Sequence, residues 1–415
     1  MKGNQSEGLL TPILIAGCLI LMVSFAIRCS FGLFQIPIAE QFGWLRSEFS
    51  MAIAIQNLAW GIGQPIFGAI AEKFGDKKTI ILGAVVYALG LVLSSIATSP
   101  LVHQTLELLV GFGIAGTGFG VILAVVGRSA SDRNRSLALG VATAAGSAGQ
   151  IVGPPVADLL LRIMPWSNVF IIFAGSIIAV LLVLPMLGKD QTGNREELRE
   201  SMGESLLLAI KDPTYSMIFL GFFSCGFQLA FITAHFPAFV AEMCSTIPGN
   251  SVIRSVGITS TTALGAASIA LIGFTNIFGT IAAGALGHYF PKKYLLAGIY
   301  TLRTLAAAAF ILTPITPATV ILFSLVMGGL WLATVPLTSG LIAHIYGLRY
   351  MGTLYGIVFF SHQLGSFLGV WLGGVMYDLY HSYSVVWWVG IGVSGFSAII
   401  HLPVRESPHK ALSAT

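Results

Sequence analysis

Long apolar runs separated by short polar breaks recur along the whole chain. They predict twelve helices, near residues 12–38, 47–71, 79–98, 104–128, 136–162, 167–187, 214–241, 258–286, 294–312, 317–345, 352–376 and 384–403. Each run is close to the ~20 apolar residues that cross a bilayer. The longest polar stretch is 188–213, with charges from Lys189 to Glu204. It divides the chain into a six-helix bundle (1–187), a linker (188–213) and a second six-helix bundle with a short tail (214–415).

Composition points to lipid as the main solvent. Of 415 residues, 55% are hydrophobic and 9% charged, against about 25% charged in a soluble domain. Nucleic-acid binding, a disulfide scaffold and a disordered chain are excluded. Cys18, Cys29, Cys225 and Cys244 have no metal-ligand spacing and are read as reduced. No cofactor or metal is expected. No HExxH, GxSxG or Walker motif is present, so an enzyme is not expected.

Charge placement sets the expected orientation. With both termini on one side, sixteen of the 21 Lys and Arg fall on that side, and three (Arg46, Arg162, Arg254) fall opposite. Arg28 and Arg303 lie within spans. The positive-inside rule then puts both termini and the linker in the cytoplasm. The expected location is the inner membrane of a cell, and the expected state is a monomer in the bilayer.

The two halves share punctuation at an offset of 216 residues. Gly68 matches Gly284, Arg133 and Gly140 match Arg349 and Gly356, and Gly149 and Gly153 match Gly365 and Gly369. Six helices per copy is an even number, so both copies keep one membrane orientation. They are expected to be related by a pseudo-two-fold axis along the membrane normal, the parallel repeat of one class of secondary transporter.

The segment from Gly68 through Glu72, Gly75, Lys77 and Lys78 resembles the loop motif G-x3-D-x2-G-x-[KR]-[KR] of the major facilitator superfamily, with Glu72 in the acidic position. The resemblance implies an all-α membrane fold of two six-helix bundles and a breakable latch at the cytoplasmic face. Arg133 and Arg135 are included in that latch. The second copy, Gly284 to Lys293, puts His288 at the acidic position. Arg135-Ser-Leu-Ala-Leu-Gly140 resembles part of a monocarboxylate transporter signature, whose N-terminal element keeps only Glu7-Gly8 here. The run His362 to Gly369 resembles bacterial members of this branch, near the oxalate:formate exchangers. Gly149-Gln-Ile-Val-Gly153-Pro154 resembles the core of an antiporter motif; close packing is the alternative reading.

Ionisable and polar groups inside spans are functional candidates. Arg28 lies roughly 22 Å along the first helix at about 1.5 Å per residue, on one stripe with Ser24 and Gln35. A guanidinium there can hold a carboxylate through paired hydrogen bonds, or be satisfied by backbone carbonyls. His362, with Tyr355 and Ser366 on its face, suits proton coupling. His235, near the outer end of the seventh helix, is the second coupling candidate. Asn276 and Arg303 lie at similar depth on the eighth and ninth helices. They either contact each other structurally or bind substrate. Trp331, with Thr334 and Thr338, could shape a small-ligand site or pack helices. Glu107 reads as an ordinary acid at the start of the fourth helix.

The expected function is secondary active transport of a small organic anion, with a monocarboxylate as the leading candidate, by proton-coupled alternating access. Proton-coupled movement of drug-like or siderophore-like compounds is the alternative. Substrate contacts are expected from Arg28, Gln35, Asn276, Arg303, Trp331, Tyr355 and His362, and proton coupling from His362 or His235.

Overall fold

The computed structural model describes residues 9–44, 46–188, 195–249, 251–255 and 257–408. Glu7, Gly8 and the linker residues before Arg195 lie outside these, as does the Gln35 side chain.

The N-terminal half contains α1 (Pro12–Ser30), α2 (Gln35–Phe42), α3 (Arg46–Phe74), α4 (Asp76–Ser94), α5 (Pro100–Thr117), α6 (Phe119–Ser129), α7 (Arg135–Ile163) and α8 (Trp166–Ala179). A 3-10 segment, Val180–Leu187, continues α8. The connection carries α9 (Arg195–Lys211). The C-terminal half contains α10 (Pro213–Met243), α11 (Val252–Ser255), α12 (Thr261–Tyr289), α13 (Lys292–Leu312), α14 (Pro317–Leu330), α15 (Thr334–Tyr346), α16 (Met351–Tyr380) and α17 (Ser384–His401).

Four spans open on the same two-residue device. Thr11-Pro12, Ser99-Pro100, Asp212-Pro213 and Thr316-Pro317 each place an oxygen-bearing N-cap before a proline. The side chain accepts a first-turn N–H, and proline occupies a position whose own N–H would have had no partner.

Eleven helical segments among the described residues are long and apolar enough to cross a bilayer. The second span, α3, has the length at 29 residues but carries more polar groups. Gln56, Asn57, Gln64 and Glu72 are buried on it, because α3 faces protein more than lipid.

Two spans predicted as continuous are broken. The fourth divides into α5 and α6 at Gly118, and the tenth into α14 and α15 around Trp331. The first also ends earlier than predicted, at Ser30, and passes through a 3-10 turn, Phe31–Phe34, before α2. Gln35 therefore does not share one regular helix with Ser24 and Arg28. Ser24 itself bonds the Thr117 hydroxyl at 3.0 Å rather than lining open space.

The halves meet along two helix pairs that the repeat makes equivalent, α3 with α16 and α7 with α12. Both close at the end that carries the α9 connection. A Cβ on Gly68 would sit 2.5 Å from the Gly352 carbonyl carbon, and one on Gly140 2.8 Å from the Thr280 carbonyl oxygen. Only glycine permits this backbone approach. The close approaches reach mid-helix, at Gly61 against Gln363 and Gly273 against Ile151. Gly149 and Gly153 lie against carbonyls of Met22 and Ala26 on α1, so this glycine stripe packs α1 onto α7 within one half.

Candidate functional site

Arg28 stands near the end of α1, half-buried. Its Nη2 donates to Asn57 Oδ1 at 2.9 Å, and its Nε is buried with no hydrogen-bond partner. The guanidinium carbon lies 4.8 Å from the Trp60 ring and 5.8 Å from that of Phe25. No carboxylate pairs with Arg28 among the described residues. The cation therefore rests on neutral and π partners, which leaves its charge uncompensated by any acid in direct contact.

Trp60 carries this arrangement across the interface. Its indole N–H donates to Gln64 Oε1 at 2.9 Å, which fixes the ring. The opposing half presents Phe359, with ring centroids 4.8 Å apart. Phe359 stacks on His362 at 5.1 Å and 11°, and Phe222 closes the other flank at 5.0 Å. His362 is 6% exposed, and neither ring nitrogen has a hydrogen-bond partner. The next residue, Gln363, is fully buried, with both amide atoms also unpartnered. Tyr355, one face along α16, has a buried hydroxyl in the same condition. Arg28, Trp60, Phe359, His362 and Gln363 thus bring a cation and unsatisfied polar groups together where the halves touch. Unpaired buried donors and acceptors of this kind call for a ligand or water.

Arg303 and Asn276 occupy a different place. Arg303 is fully buried; its Nε and Nη2 donate to the Leu330 carbonyl at 3.1 and 2.8 Å, and Nη2 also reaches the Trp331 carbonyl. Asn276 Oδ1 accepts from the Leu332 N–H at 2.9 Å, while its Nδ2 donates to Ser147 at 2.7 Å. Both side chains hold the break between α14 and α15 rather than each other. Trp331 lies in that break, buried. Cys225 joins the same cluster through Thr334, at 3.3 Å.

His235 is engaged within the C-terminal half. Its Nε2 is 2.9 Å from the Val370 carbonyl oxygen, and its ring lies beside Phe231 and Tyr383. Gly373 leaves the room that the imidazole fills.

At the closed end, Glu72 is 7% exposed. Its Oε1 accepts the Thr353 N–H at 3.0 Å, and Oε2 accepts the Thr353 hydroxyl. The carboxylate thereby caps the first turn of α16 from the other half. Gly75, with φ of 103°, makes the turn from α3 into α4. Lys78 and Arg133 are exposed, and Lys77 is half-buried. Arg135 bonds the Gly127 carbonyl and Asp132, both in its own half. At this end the carboxylate bonds a helix end across the interface, while Asn276 and Ser147 bond across it farther along. The acidic position of the second copy, His288, is exposed.

Sequence reasoning missed Asn57, Trp60, Gln64 and Gln363. It also misplaced Glu107, which lies two turns inside α5 and is buried against Gln56. The spacing of Gln56/Asn57, Trp60 and Gln64 was the available signal, since i, i+3/i+4 and i+7/i+8 share a helix face.

The family model for the Major Facilitator Superfamily matches residues 16–370. The chain belongs to that superfamily and is a multi-pass membrane transporter. It is 27% identical over 396 residues to the uncharacterized MFS-type transporter YcxA of Bacillus subtilis, covering 90% of each chain. Identity to monocarboxylate transporter 12 of Xenopus laevis is 24%, covering 93% of this chain and 86% of that one. Identity to multidrug resistance protein MdtH of Photorhabdus laumondii is 25%, covering 95% and 94%. The fold matches that of the proton:xylose symporter XylE with a TM-score of 0.71 at 14% identity, covering 97% and 98%.

Proposed function

We propose that this transporter moves a small organic anion, a monocarboxylate, together with a proton. The observation that carries the reading is Arg28: a half-buried guanidinium inside a span, seated on Trp60, with no acid paired to it among the described residues. A carboxylate can occupy its free donors through a charge-assisted pair of hydrogen bonds. The other half presents His362 and Gln363 beyond the Trp60–Phe359 contact, and a ligand seated between them and Arg28 would engage both halves. Such a ligand biases their relative arrangement by its differential contacts.

The likeness to monocarboxylate transporters supports the substrate class. The halves are joined at the linker end, which the basic residues assign to the cytoplasm. Substrate then enters from the opposite side, and cleavage of the Glu72–Thr353 contact accompanies opening inward. An anion moving inward alone works against a negative interior, and a proton cancels that cost.

Binding of a labelled monocarboxylate panel to the purified protein tests this reading. Competition among short-chain acids that is lost in Arg28→Gln is the expected result. Binding of lipophilic cations with no acid competition would favour the multidrug reading, which the likeness to MdtH keeps in view.

A further inference from the structure

The N-terminal half buries a carboxyl that the substrate site does not use. Glu107 is 1% exposed within the membrane-spanning part of α5. Its Oε2 accepts from Gln56 Nε2 at 2.6 Å, and its Oε1 has no hydrogen-bond partner. His103, one turn nearer the far end, places Nε2 3.8 Å from that Oε1. Both of its ring nitrogens are buried without a hydrogen bond, and its ring sits among Trp44, Phe49 and Phe170. Burying an acid and an imidazole together, neither fully satisfied, disfavours packing as their purpose.

The surrounding helices contribute few charges. From α3 come the neutral amides Gln56 and Asn57, with Glu48 near that helix's start. From α4 comes Tyr87, whose hydroxyl donates to the Ser24 carbonyl at 3.4 Å. From α1 come Arg28 and Cys29, and from α8 the apolar Phe170. Among the described residues, Arg28 is the permanent cation of this neighbourhood. It and Glu107 are held by consecutive residues of α3: Asn57 accepts from Arg28, and Gln56 donates to Glu107.

We infer that Glu107 binds the co-transported proton and that His103 passes it from the far end. This rests on the anion-proton reading above and places the proton in the N-terminal half rather than at His362. A proton that enters at one ring nitrogen of His103 can leave from the other to Glu107, 3.8 Å away, so the imidazole is neutral before and after. An anion on Arg28 and an ionised Glu107 repel across the low-dielectric interior, so the anion favours the neutral acid. One anion and one proton are added, so the net charge crossing the membrane is zero. Each ligand strengthens binding of the other, as linkage requires.

Two measurements on the purified full-length protein test this. In substrate-free protein, a protonated-carboxyl C=O infrared band from Glu107 should titrate with pH, read as the difference between the parent and Glu107→Gln. It should be absent in Glu107→Gln and present but shifted in Glu107→Asp. In weakly buffered solution with a pH-indicator dye, adding the tightest-binding monocarboxylate should draw in about one proton per anion in the parent and none in Glu107→Gln. The apparent affinity of the parent should change about tenfold per pH unit over the titrating range, and that of Glu107→Gln should stay flat. Proton uptake retained in Glu107→Gln would overturn the inference, as would a parent-minus-Glu107→Gln infrared difference that shows no titrating carboxyl band, since Glu72 is a second buried carboxyl common to both proteins. If no monocarboxylate binds the parent, the anion reading fails, and the infrared titration still decides Glu107.

Discussion

Glu72 caps α16 from across the interface, its Oε1 3.0 Å from the Thr353 N–H. A carboxylate–helix-end bond is strong when desolvated, yet it breaks as a unit when the halves separate. It suits a gate that must close firmly and still open.

Glu72→Ala should therefore weaken closure at the linker end. Loss of hydrogen bonds to a charged group corresponds to about 1.5–3 kcal/mol, or about 10- to 100-fold in the closed-to-open ratio. Spin labels on exposed Lys78 and Arg349, in a cysteine-free background, should report a longer distance in the variant. An unchanged distance distribution would remove Glu72 from the gate.

Arg28→Lys keeps charge but loses the planar fork and part of the stacking on Trp60. Apparent affinity for a carboxylate should fall about tenfold or more, and Arg28→Gln should fall further. Trp60→Ala should cost about 0.5–2 kcal/mol of anion binding by releasing the guanidinium. An Arg28→Gln protein that binds as tightly as the parent would put the anion elsewhere.

Arg303 should behave as a structural residue. Removing it orphans two backbone carbonyls at the α14–α15 break, which costs about 1–3 kcal/mol for each unsatisfied group. Arg303→Met should lower the melting temperature in detergent clearly, and Arg303→Lys should recover part of the loss. A melting temperature equal to the parent's would argue for a ligand-binding role instead.

The basic residues predict the topology. A cysteine at 192 should resist impermeant reagent added outside intact cells, and one at 249 should react. The reverse pattern would invert the assignment of the linker end.

Much of this architecture was legible in the sequence. Hydropathy runs located the spans, and the loop motif at Gly68 pointed to the two-bundle fold. The breaks at Gly118 and Trp331 were not legible, because they depend on tertiary partners: Asn276 and Arg303 satisfy the freed backbone of the tenth span. Glu107 was misread because the fourth helix was started at 104. The Ser99-Pro100 cap, which was in plain view, starts it earlier and puts Glu107 inside the membrane. Gln363 was hidden beside His362, since which of two neighbouring polar residues faces the partner half depends on helix rotation against α3.

The central claim is anion transport coupled to a proton, and uptake of labelled monocarboxylates into proteoliposomes tests it most directly. An inwardly directed proton gradient should drive accumulation above equilibrium without requiring a membrane potential, and dissipating the gradient should reduce uptake to equilibration. Accumulation that is indifferent to the pH gradient, or absent for every acid in the panel, would contradict the account.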